Sequence, residues 1–89
     1  MLEDRVEITP AQCRAGRALV DLTQRQLAEA AGLSVSTLKD FEGSLRTVSG
    51  HLTTAIRRAL EEAGVEFMNG DEPGVRLRKG RDRLDKWSP

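Results

Sequence analysis

Side chains able to do covalent or metal chemistry are few in this chain and stand apart from one another. His51 is the single histidine and Cys13 the single cysteine, so neither an intrachain disulfide nor the Cys/His spacing of a zinc site can be assembled. Ser34, Ser36 and Ser44 have no base at motif spacing, and the adjacent Glu61 and Glu62 read as a solvated helix face rather than a paired acid and base. His51 reads as a surface residue at a helix start. The pattern predicts no enzyme, no metal and no cofactor, and no small-molecule ligand is evident. Hydrogen-bonding side chains are instead bunched in one stretch, "TQRQLAEAAGLSVSTLKDFEG" from Thr23 to Gly43. There, a run with helical spacing is interrupted by "AAGLS" and then resumes.

With 89 residues, the chain reads as one domain whose core must be small, and its composition makes that core mostly aliphatic. Fourteen basic and fourteen acidic residues cancel, so net charge alone does not point to a polyanionic partner. The distribution is uneven, because residues 64–74 carry three acids and no base whereas residues 75–89 carry six bases against two acids. The start "MLEDRVEITP" has acids and no apolar run, and no stretch approaches the ~20 apolar residues of a membrane span. No membrane association is expected. With a lone cysteine, the expected location is cytoplasmic.

The elements that must position the polar stretch are helices. Thr9 before Pro10 is a start signal, because the hydroxyl accepts a first-turn amide and proline's fixed φ suits the first helical position. The first helix should run to Val20 or Asp21, with Ala15, Leu19 and Leu22 toward the core and Cys13 a partly buried filler. Thr23 with Gln26 has capping-box spacing for the second helix, whose apolar stripe is Leu27, Ala28 and Ala31. Ser34 caps a third helix with Val35, Leu38 and Phe41 at three-residue steps. A fourth, from about His51 to Ala63, presents Leu52, Ala55, Ile56, Ala59, Leu60 and Ala63 as one stripe, and Gly64 stops it. Beyond Gly64 the period becomes two, predicting strands around Val65 and Phe67 and around Val75 and Leu77, separated by the turn-rich "NGDEPG".

Two short helices separated by about three residues must cross at a wide angle, and Gly32 permits the left-handed turn between them. Small Ala28 and Ala31 allow close approach. Such a pair can hold its second helix out from the body, where it would fit a major groove about 12 Å wide.

From Thr9 to about Ala63 the chain resembles the lambda-repressor-like, Cro-type helix-turn-helix proteins, the XRE family. The resemblance rests on "TQRQLAEAAGLSVSTLKDFE", through Gln24, Leu27, Ala28, Ala31, Gly32, Leu33, Ser34, Thr37, Leu38 and Glu42. It implies a mainly α fold, a lambda-repressor-like four-helix domain with a short C-terminal β-strand pair. It also makes the helix from Ser34 to Phe41 the recognition helix. Val35, Ser36, Lys39 and Asp40 match positions facing base edges, Gln24 and Thr37 match phosphate-contacting positions, and Arg17 with Glu42 matches a structural ion pair. After Glu42 the chain departs from the pattern, with Ser44 at the glycine place, Leu45 at the basic place and Val48 at the proline place. Arg46 is left to supply the backbone contact of that loop.

Chemistry supports these roles unevenly. Ser36 can donate or accept, Lys39 reaches guanine acceptors or a phosphate, and Val35 could pack on a thymine methyl. Asp40 repels phosphates unless it accepts from cytosine or orients Lys39, so it would discriminate against wrong sequences. Gln24 joins its amide to a partly positive helix terminus.

The expected organisation is an arm over residues 1–8, a helix-turn-helix domain over 9–64, a strand pair over 65–79 and a charged tail over 80–89. The expected partner is double-stranded DNA bound by a homodimer, with Val65, Phe67, Val75 and Leu77 of the strand pair as dimer element. The competing expectation is a protein-interaction adaptor, an antitoxin or anti-repressor, with secondary DNA binding.

Overall fold

Each helix begins where a hydroxyl side chain can replace the missing backbone partner of its first turn. The computed structural model describes residues 7–45, 48–69 and 73–78. In it, α1 is Pro10–Val20, α2 Gln24–Ala31, α3 Val35–Glu42 and α4 Gly50–Glu62, followed by β1 Val65–Met68 and β2 Gly74–Leu77. The fold is mainly helical with a short C-terminal antiparallel sheet. Arg46, the arm before Glu7 and the tail from Lys79 onward lie outside the described residues. Thr9, Thr23, Ser34 and Ser49 accept from the amides of Gln12, Gln26, Thr37 and Leu52. For Thr9 and Thr23 the glutamine side chain accepts in return from the cap's own N–H, at 2.9 Å in both.

The first three helices end in the same way. The residue after the last turn takes a left-handed conformation, and the next amide reaches back across the turn: Leu22 to Arg17 O at 3.0 Å, Leu33 to Ala28 O at 2.9 Å, Leu45 to Asp40 O at 2.8 Å. The left-handed residues are Asp21, Gly32 and Ser44, with φ of 58°, 75° and 58°. Gly32 adopts this conformation without penalty, and it is the pivot between α2 and α3. Gly43, the glycine available at the end of α3, sits one residue early at φ −90°.

Leu27 and Ala28 of α2, Leu38 and Phe41 of α3, Ile56, Ala59 and Leu60 of α4, and Val65 of β1 meet in one core with Ile8, Cys13 and Val48. The face that α1 buries differs from the apolar reading of its sequence. Ala15 is exposed and Leu19 only half-buried, whereas Leu22, just beyond the helix, packs partly buried against the core as expected, and Gln12, Cys13 and Gly16 point inward. Gly16 explains the choice, since a Cβ there would lie 3.3 Å from a Leu60 methyl and 3.4 Å from a Val65 methyl. The helix is drawn in at Gly16, and Cys13 is fully enclosed rather than partly buried.

The two strands pair with each other in register Val65 with Leu77, Glu66 with Arg76, Phe67 with Val75 and Met68 with Gly74. This hairpin belongs to the body of the domain. Val65 is fully buried in the core, Phe67 and Val75 pack against it, and Leu77 is half-buried. Buried Gln12 fastens the hairpin to α1, its Nε2 donating to Gly74 O at 3.0 Å and to Met68 O at 3.3 Å while its Oε1 serves the Thr9 cap. Val65 is therefore already covered by its own chain and is not free for a dimer contact.

Because Ser44 holds a left-handed conformation that suits glycine, Ser44→Gly should stabilise the fold by about 1 kcal/mol. A thermal or urea melt measures it, with an upward shift of the midpoint as the expected outcome.

Candidate nucleic-acid interface

The spacing of α3 sets which side chains it can offer. Leu38 and Phe41 turn it inward, and Glu42 follows them into the body. Ser36 and Lys39 lie on the opposite side and are exposed. Val35, expected outward, is half-buried and packs against the core, which leaves little of it for a base edge. Thr37 and Asp40 are half-buried. The Ser34 hydroxyl is occupied in capping, accepting from the Thr37 amide at 3.1 Å and donating to Thr37 Oγ1 at 2.9 Å. The presented surface is thus narrower than the sequence implies, with Ser36 and Lys39 at its centre.

What holds that surface in place is a buried carboxylate. Glu42, the last residue of α3, is 3% exposed and accepts four side-chain hydrogen bonds. Arg17 Nε donates to Oε2 at 2.8 Å and Arg17 Nη2 to Oε1 at 2.9 Å. Gln24 Nε2 donates to Oε1 at 3.0 Å, and the Cys13 thiol to Oε2 at 3.1 Å. Arg14 Nη1 donates to the Glu42 main-chain carbonyl, where a cation suits the negative end of α3, and Arg17 Nη1 donates to Leu22 O at 3.1 Å. Gln24 is the first residue of α2, so Glu42 joins the outer ends of the helix pair while Gly32 sets the inner one. Gln24, expected as a phosphate contact, spends one amide proton on this internal bond.

The electrostatics follow from the geometry. Burial opposes charge on Glu42, but the bonds from Arg17, Gln24 and Cys13 outweigh it and hold its carboxyl below the ordinary glutamate value. Hydrogen bonding to Glu42 likewise raises Arg17 against its partial desolvation. Burial, then the facing carboxylate, pushes the Cys13 thiol far up, so it remains a neutral donor. A fork-shaped guanidinium on a saturated carboxylate is the arrangement in which a buried ion pair is least costly.

In the loop after α3, Leu45, which stands where the resemblance leads to a basic residue, is 75% exposed. Cys13, Arg14 and Gln12 were not singled out by the sequence as members of any site. For Gln12 a signal existed, since Thr9 and Gln12 have the same capping-box spacing as Thr23 and Gln26. No group of three or more metal-ligating side chains occurs among the described residues, and no helix there is long and apolar enough to cross a membrane. No protein-family model matches the chain, and no curated protein matches it.

Removing one partner of the clasp should cost more than removing both. Arg17→Met strands a buried carboxylate and should destabilise by about 3 kcal/mol, whereas Arg17→Met with Glu42→Leu should lose less; urea denaturation of the two variants checks the order. The folded pKa of Glu42 is lowered, so its contribution is complete above the ordinary value of about 4.3 and is lost as pH falls through the lower folded value. Melts across that acid range should show a slope that Glu42→Gln flattens.

Proposed function

We propose that this chain is a sequence-specific DNA-binding transcriptional regulator that inserts α3 into a major groove. One observation carries the reading: a helix of eight residues shows Ser36 and Lys39 to solvent, and both ends of its helix pair are fixed, by Gly32 at one side and by Glu42 at the other. A short helix loses little entropy on binding when its orientation is already set, and that is what groove readout requires. Ser36 and Lys39 are the base-reading pair. Thr37, Asp40 and Gln24 contribute at the margin, and Arg46 is the expected cation of the following loop. The resemblance to Cro-type helix-turn-helix proteins supports the same assignment, and with it a cytoplasmic setting.

One helix reads only a few base pairs, so useful selectivity calls for two copies about 34 Å apart on a pseudo-palindromic site. In this reading the homodimer forms along the outside of the hairpin, near half-buried Leu77 and partly exposed Met68, and excludes Val65. The second reading, an adaptor that binds another protein, draws on exposed Leu45 and on the balanced total charge. Salt separates the two, because contacts to phosphates release counterions and apolar docking does not.

Selection from a random duplex library should yield a preferred site that takes two chains and whose affinity falls steeply with rising salt. On that site, Ser36→Ala and Lys39→Ala should each cost about 1 to 3 kcal/mol of discrimination. Unchanged affinity in the double variant would remove α3 from the role, and binding insensitive to salt would favour the adaptor.

A further inference from the structure

We propose that Cys13 is a positioning residue for duplex binding, its thiol completing the set of donors that fixes the outer ends of α2 and α3 through Glu42. The proposal rests on the DNA-binding reading above. A carboxylate has about four lone-pair sites, and here each is filled: Arg17 Nε and Cys13 Sγ on Oε2, Arg17 Nη2 and Gln24 Nε2 on Oε1. Arg14 adds its bond to the main-chain carbonyl of the same residue. Without the thiol, Oε2 of this buried carboxylate keeps a single protein donor, and the carboxylate gains a direction in which to swing. Gln24 rides on the other oxygen, so its amide and the start of α2 move with it.

The alternative for a buried cysteine is that of a small apolar filler, which makes no demand on a hydrogen-bond partner. The geometry favours the donor, because the sulfur lies 3.1 Å from a carboxylate oxygen of a residue that is buried, at 3% exposure. The same enclosure makes Cys13 neither a nucleophile nor a redox sensor in the folded protein. It touches no bound duplex and acts only through Glu42.

The test uses the full chain with Cys13→Ala and Cys13→Ser at a temperature where every variant is folded. As the only cysteine, Cys13 alone gives rise to the infrared S–H stretch. In the wild type this band should lie at the low frequency of a strongly bonded thiol and should rise when Glu42 is titrated with acid. Cys13→Ala should raise the Glu42 pKa read by carbon NMR and weaken the selected duplex about tenfold, the equivalent of one hydrogen bond to a charged group. Cys13→Ser should retain most of both. A free-thiol band, or equal behaviour of the alanine and serine variants, overturns the proposal. So does a shifted Glu42 titration with unchanged duplex affinity, which leaves the clasp intact but removes its role in binding. If the wild type binds no duplex, the DNA reading falls and takes this role with it, while the band and the titration still report whether the thiol bond exists. Should the alanine variant fail to fold, the wild-type band and the serine variant decide.

Discussion

A single carboxylate, that of Glu42, closes the helix pair on which the proposed readout depends. Two helices of eight residues are too short to be stable alone, and the turn at Gly32 holds only their inner ends, leaving the outer ends free to splay. Glu42 removes that freedom by binding α1 through Arg17 and Cys13 and α2 through Gln24. The desolvation of one charge is thereby offset by donors from two other elements. Stability and orientation come from the same few bonds, and only the side of α3 that faces away from them is left for a partner.

Most of the secondary structure is legible because its signals are local. Hydroxyl caps at Thr9, Thr23 and Ser34, the glycine at position 32 and the change of period after Gly64 each depend on neighbouring residues, and each element appears where those signals place it. The inner face of α1 is a different matter. Apolar periodicity selects Ala15 and Leu19, but what decides is how near Leu60 and Val65 come, and Gly16 allows the closest approach. Packing distance over long sequence separation leaves no periodic trace.

The proposed interface was legible in the same uneven way. Lys39 and Ser36 stand where a helical wheel puts them, opposite Leu38 and Phe41. Val35 follows the wheel too, inward with Leu38 and Phe41, and so departs from the outward role that the resemblance implies. Arg17 and Glu42 could be paired from the family resemblance, whereas the Cys13 thiol could not, since nothing in the sequence indicates that residue 13 faces residue 42. The strand pair was legible as two strands too few to stand alone, which must lie on the helices or pair with a second chain, and the structure lays them on the helices.

The attachment of the hairpin bears on how the chain is made. Gln12 bonds carbonyls 56 and 62 residues away, and Val65 fills the space that Gly16 leaves open. Contacts of such wide sequence separation are slow to close, because the loop must be ordered before they contribute. During synthesis, α1 to α4 emerge with one side of α1 uncovered, and the domain reaches its native packing only once residues 65 to 77 have left the ribosome.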